Sequence, residues 1–142
     1  MTISILTKDQ VDESLQTSIT ALYNQLNSNL KQLPLKQLVE DGDSLVFAIC
    51  KSEGQVAGIA LMATYKVISG HKGMIEDVVV DVKHRGQGIG RKLMEKLLES
   101  AKNKKLDEVL LFSGHHRTPA INLYKSLGFQ LKDSGLYRLI LN

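Results

Sequence analysis

The chain has 142 residues, 43% hydrophobic and 23% charged, which is long enough to bury a real core and most simply one domain spanning residues 1–142. A net charge of +3, from 18 Lys and Arg against 15 Asp and Glu, is too mild for a nucleic-acid protein and would suit a small anionic ligand. No apolar run reaches membrane-spanning length, the N-terminus lacks a secretory pattern, and a lone cysteine excludes an internal disulfide, so a cytoplasmic protein with no membrane partner is expected.

"ISIL" near the start reads as a short strand. From Lys8 to about Leu30, Val11, Leu15, Ile19, Leu22 and Leu26 recur at helical spacing, with Thr7 or Asp9 as cap. "LPLKQLVEDGD" is a second, short helix ending near Gly42. "SLVFAICK" and "QVAGIALMATYKVI" are strands joined by the hairpin signal "SEGQ", and Cys50 reads as a buried strand thiol rather than an acyl-carrying nucleophile. "SGHKG" makes a break before the strand "MIEDVVVDV". The helix from about Gly88 to Asn103 carries one stripe of Ile89, Leu93, Met94, Leu97, Leu98 and Ala101. "DEVLLFS" is a strand, "TPAINLYKSLG" a helix with proline in its first turn and a stop at Gly128, and "LYRLIL" a last strand. No repeat or linker divides the chain, which reads as a mixed α/β domain.

The densest glycine cluster, in "HRGQGIGRK", stands at the mouth of the best-patterned helix. A dinucleotide fingerprint, G-x-G-x-x-G counted from Gly86, fails at Arg91, and so does the phosphate loop G-x-x-x-x-G-K-S/T. The pattern Q/R-x-x-G-x-G/A is met by Arg85, Gly88 and Gly90. Unpaired amides at a helix start, with the positive end of the helix dipole, make an anion site there. A plain strand-to-helix turn is the competing reading of the same glycines.

With these residues in view, the chain resembles the GNAT superfamily of N-acetyltransferases. "VVVDVKHRGQGIGRKLM" matches that family's acetyl-coenzyme A (acetyl-CoA) motif, and "INLYKSLGF" its downstream Y-x-x-x-G-F element through Tyr124, Gly128 and Phe129. The strand "IEDVVV" is similar to one in glucosamine-6-phosphate N-acetyltransferases, whereas "SGHHRTPAINLY" departs from that subfamily. Arg117 stands where the family often has asparagine, and Asn122 is off register.

The resemblance implies a mostly antiparallel sheet with a splayed parallel central pair, flanked by helices. It implies N-acetyl transfer from acetyl-CoA, without a metal, to a primary amine on a small molecule or a protein. The attack is direct, within a ternary complex. A non-catalytic acyl-CoA-binding or regulatory domain is the alternative, and a homodimer is one arrangement such folds adopt. The pyrophosphate would lie on Arg85, Gly86, Gln87, Gly88, Ile89, Gly90 and Arg91, and the pantetheine arm along Val78, Val79 and Val80. Arg117 could serve a coenzyme phosphate. Tyr124 also contacts the coenzyme and is the expected general acid to the thiolate, or else a packing residue. Glu76, two residues before Val78 on the same strand face, would take the amine proton or bind the acceptor. Asp77 is expected on the opposite face, in a structural role. His115 and His116 are expected at the acceptor mouth; His71 is a solvated loop residue or reaches the acceptor, Tyr137 packs or lines the acceptor pocket, and His84 lies near the phosphates or in solvent.

Overall fold

The computed structural model describes residues 1–40, 42–114 and 117–142. They form two compact units, Met1–Phe112 and Ser113–Asn142.

The first unit is built on a five-stranded sheet whose strands neighbour one another in chain order. These are β1 (Thr2–Ile5), β2 (Leu45–Ser52), β3 (Gln55–Val67), β4 (Gly70–Val80) and β5 (Glu108–Leu110). The first four pair antiparallel, and β5 joins β4 in parallel. The mixed α/β architecture expected from the sequence is therefore the one found.

Local sequence explains the joints. The β2–β3 hairpin turns on Glu53 and Gly54, with φ of 51° and 77°, the two positive values that a two-residue type I′ loop requires. "SGHKG" is less of a break than expected, because Gly70 to Gly73 already pair with Val67 to Thr64. Its glycines answer crowding within the strand. A Cβ on Gly70 would lie 2.6 Å from the Asp107 carboxylate, and one on Gly73 would lie 2.8 Å from the Met62 sulfur. Asp107 also accepts from the His71 N–H at 2.7 Å, which ties the start of β5 to the start of β4.

The helix expected from Lys8 begins later, as α1 (Glu13–Asn24). Lys8–Gln10 is a separate 3₁₀ turn, and the true cap is Asp12, whose carboxylate accepts from the Leu15 N–H at 2.8 Å. α2 (Leu35–Val39) follows. Leu15, Ile19 and Leu22 of α1 and Leu35 of α2 form one core with Phe47, Ile49, Ile59, Leu61 and Val79 from a single face of the sheet.

α3 (Ile89–Asn103) covers the opposite face. Its Leu93, Met94 and Leu97 are fully buried, each contributing about 1.5–3 kcal/mol by transfer from water. The helix can come close because the strand beneath it is small. A Cβ on Gly58 would stand 3.0 Å from both Ile89 Cγ2 and Leu93 Cδ1 and 3.1 Å from the Val79 carbonyl oxygen. Gly58→Ala should therefore destabilise the protein by about 1–3 kcal/mol through overpacking. Chemical denaturation of the variant would measure this, and an unchanged midpoint would show that α3 shifts freely.

In the second unit, α4 (Thr118–Ser126) carries a proline in its first turn, as expected. The closing strand is not found. Residues 137–142 have no strand assignment, and Leu136, Tyr137, Leu139, Ile140 and Leu141 are between 64% and 96% exposed. "LYRLIL" has strand propensity but lacks a ladder partner among the described residues, and propensity alone does not make a strand.

Candidate active site

The parallel pair β4–β5 is short. Met74 opposite Leu110 is its last pair, yet β4 runs on to Val80. Among the described residues, beyond Met74 the strand is paired on its β3 side only, through Ile75 with Met62, Glu76 with Leu61, Val79 with Ile59 and Val80 with Gly58. The other edge of Val78–Val80 is thus left with backbone groups to offer.

The chain leaves β4 through a short 3₁₀ turn, Val82–His84, into the glycine stretch. Gly86 and Gly88 have φ of 80° and 76°, and a Cβ on either would meet nothing within 4 Å. These glycines are required by backbone conformation, and the space in front of them is open. Gly88 caps α3 without a side-chain hydrogen bond, and the first turn holds no acidic residue. The first intrahelical bond runs from the Lys92 N–H to the Gly88 carbonyl, 3.1 Å, so Ile89, Gly90 and Arg91 precede any helical acceptor. A glycine-flanked helix start without acids in its first turn, with Arg85 and Arg91 alongside in sequence, has the chemistry that an anion takes. Arg91 also approaches Glu95, 3.6 Å away along the helix.

This turn is clamped from behind. The Gln25 side chain, just past α1, donates to Asp81 Oδ1 at 2.9 Å and accepts from the Val82 N–H at 3.0 Å. Asp81 Oδ2 lies 2.7 Å from His84 Nδ1. Hydrogen bonds from Gln25 first, then His84, hold the Asp81 carboxyl below its usual range. His84 thus orders the turn from its own side, a role the sequence left open.

The acids of β4 depart from expectation. Ile59 faces Val79 while Leu61 faces Glu76, so β4 carries an extra residue there, a bulge. Asp77 sits in it with φ of 53°. Strict alternation fails, and Glu76 shares its face with Val79 instead of Val78, since Ile59 and Leu61 belong to one core cluster. Asp77 turns to the same side. Its carboxylate accepts from the Tyr23 hydroxyl at 3.2 Å and lines a cavity of about 250 Å³ beneath α1 and α2. Both acids reach solvent, yet the apolar wall behind them raises both carboxyls above their ordinary range. The neighbouring charge of Asp77 adds to the effect at Glu76, and the Tyr23 hydroxyl partly offsets it at Asp77. Tyr23, Gln25 and the inward turn of Asp77 were missed from sequence. The only available signal was two acids inside an otherwise apolar strand.

Tyr124 and Arg117 belong to the second unit. Arg117 is the residue before α4, and Tyr124 lies near its end. Gly128, at φ 99°, lets its N–H reach the Lys125 carbonyl and the Phe129 N–H reach the Tyr124 carbonyl, at 3.0 and 3.1 Å. These two bonds make a Schellman cap, and the Tyr124 and Phe129 rings meet edge-on at 6.2 Å, as that cap's apolar contact. The Y-x-x-x-G-F spacing is thereby a helix stop in physical terms. Burial pushes the Tyr124 phenol above its usual value, with Arg117 opposing.

Tyr137 is 96% exposed. His115 and His116 lie outside the described residues. Among the described residues no three His, Cys, Asp or Glu side chains are grouped to hold a metal ion, and no helix is long and apolar enough to cross a membrane.

Comparison with known proteins bears on the family and on the fold. The chain is 35% identical over 101 residues to streptothricin acetyltransferase of Streptomyces lavendulae, covering 70% of this chain and 52% of that protein. It spans about half the length, or less, of the curated relatives it matches. Its fold matches glucosamine-6-phosphate N-acetyltransferase of Arabidopsis thaliana with a TM-score of 0.78 at 22% identity, over 98% of this chain and 99% of that one. It also matches an acetyltransferase of Clostridium acetobutylicum solved with acetyl-CoA, with a TM-score of 0.73 at 20% identity, over 99% and 96% of the two chains. Residues 9–129 match the acetyltransferase (GNAT) family, running through both compact units, and the chain belongs to that family.

Proposed function

We propose that this chain transfers an acetyl group from acetyl-CoA to a primary amine by direct attack within a ternary complex. The observation that carries the reading is the glycine-flanked start of α3, capped without a side-chain hydrogen bond and set at the end of a strand whose far edge has no ladder partner past Met74 among the described residues. That start fits the pyrophosphate of acetyl-CoA: open space before Gly86 and Gly88, amides of Ile89 and Gly90 that precede any helical acceptor, and the cation of Arg85. The reading takes residues 1–142 as one domain, in keeping with a family match that runs through both units.

Acetyl-CoA supplies an acetyl thioester, an electrophile whose carbonyl oxygen becomes negative during attack. In this reading the backbone of Val78, Val79 and Val80 holds the pantetheine arm as an added strand would. An N–H near Val79 donates to the developing oxyanion. The amides from Gly86 through Arg91, Gln87 and Ile89 among them, hold the phosphates, with Arg117 as a further phosphate partner. Tyr124 returns a proton to the thiolate. Its raised pKa keeps the phenol protonated near neutrality, as a general acid requires.

Glu76 removes the proton that most amines carry at neutral pH. A carboxyl held above its ordinary range is a stronger base than an exposed one. Glu76→Gln should lower turnover about 10²-fold at neutral pH and recover as pH rises, because alkaline solution deprotonates the amine unaided. Thiol release from acetyl-CoA with a pooled amine panel, followed over pH, makes the measurement. A uniform loss across pH would assign Glu76 to acceptor binding. Tight binding of acetyl-CoA with no thiol release for any amine would instead make the chain a coenzyme-binding module.

A further inference from the structure

The cavity of about 250 Å³ beneath α1 and α2 lies wholly within the first unit. Its walls are mostly apolar, with Ile19, Leu35, Phe47, Ile59 and Leu61 prominent, and those five are all buried core residues. A core normally closes on itself at crystal-like density, whereas this cleft has a floor of buried apolar side chains and opens to solvent past the exposed Leu30 and Leu33, so its floor is accessible to a small molecule. The polar groups of the lining are mostly engaged within the protein. Gln16 accepts from the Leu35 N–H at 2.8 Å and donates to Thr20 at 3.0 Å. Gln32 donates to the Thr20 carbonyl and to Asn24, each at 3.1 Å. That leaves a carboxylate, Asp77, braced by the Tyr23 hydroxyl, and one exposed cation, Lys31.

We propose that this cavity receives the acetyl acceptor, that the acceptor is a small primary amine carried on a compact branched or aromatic apolar body, and that Asp77 selects it by pairing with its ammonium group. The inference rests on the acetyl-transfer reading and deepens it by naming the acceptor's chemistry. Size, polarity and charge each narrow the choice. At the ~30 Å³ a water molecule occupies, the cavity holds roughly eight non-hydrogen atoms. An aminosugar phosphate would press its hydroxyls against apolar walls without partners, a cost that the approach of its phosphate to the exposed Lys31 would only partly offset. A polyamine would set its further charges against apolar wall and Lys31. A lysine side chain from a protein is a single file of methylenes and would leave much of the apolar floor of Phe47, Ile59 and Leu61 uncovered. Asp77 holds the amine, and Glu76, next to it in sequence and on the same face though outside the cavity lining, takes the proton in this reading.

The test uses 2-phenylethylamine and isobutylamine as probes, against glucosamine 6-phosphate, spermidine and a lysine-containing peptide. The two apolar amines should be acetylated with kcat/KM at least about 10-fold above the others, as expected for a hydrophobic pocket. Asp77→Asn keeps a side chain that tolerates the left-handed backbone and can still accept from Tyr23. It should raise the KM for these amines about 10- to 100-fold, the worth of a hydrogen bond to a charged group, with kcat and acetyl-CoA affinity little changed. Calorimetric titration of 2-phenylethylamine without coenzyme separates the two layers of the argument. Saturable binding that Asp77→Asn abolishes supports the site even if no acetyl transfer is found, in which case only the transferase reading falls. Preferred acetylation of the aminosugar phosphate, spermidine or the peptide overturns the inference while leaving the transferase reading intact. So does an Asp77→Asn variant with unchanged KM.

Discussion

Tyr124→Phe should lower the maximal rate of acetyl transfer about 10²-fold or more while leaving the fold and coenzyme affinity nearly as they are. The substitution is informative because Tyr124 has two separable parts. Its backbone carbonyl and ring serve the Schellman cap, accepting from the Phe129 N–H at 3.1 Å and meeting the Phe129 ring edge-on. Phenylalanine keeps both, so a purely structural tyrosine would lose nothing by the change. The hydroxyl alone is removed, and only proton donation needs it. Burial raises the phenol's pKa against the pull of Arg117, so it stays protonated over the neutral range and ready to give its proton to a departing thiolate. The loss should fall on kcat and not on KM, since the proton is needed only as the carbon–sulfur bond breaks. Acetyl donors with more acidic thiols should suffer less. Full turnover in the variant would assign Tyr124 to the helix cap alone.

Gly88→Val should weaken acetyl-CoA binding about 10- to 100-fold for each amide–phosphate hydrogen bond lost, as read by calorimetry. Gly88 stands at φ 76°, a conformation that costs an ordinary L-residue about 1–2 kcal/mol and a β-branched one more. Nothing lies within 4 Å of where its Cβ would be, so the added side chain meets no protein atom. The fold should therefore survive with a modest loss of stability, while valine bends the turn or blocks the approach to the amides. Gly88→Asn distinguishes the two, because asparagine tolerates this backbone. It should recover stability and still bind the coenzyme poorly if blockade is the cause. A folded Gly88→Val variant with unchanged affinity would remove the phosphate assignment.

What the sequence determined by itself was whatever is local. The stripe on α3, the Glu53–Gly54 turn, the glycines before the helix and the Tyr124–Phe129 stop each declare themselves within about a dozen residues, because helical period, positive φ and cap spacing are short-range requirements. The expected helix start at Lys8 failed within the same range, since Thr7 caps a separate 3₁₀ turn, Lys8–Gln10, and Asp12 caps the helix that follows. Strand status of "LYRLIL" depends on a partner elsewhere in the chain, which no segment carries in its own residues. The acids of β4 show the division most clearly. The sequence placed Glu76 and Asp77 on opposite faces because strands alternate. Pairing with β3 inserted a bulge, put Asp77 at φ 53°, and turned it toward Tyr23 on a helix 54 positions away. Tertiary structure alone decided that, because a bulge is a property of two strands in register, and a cavity is a property of every wall at once.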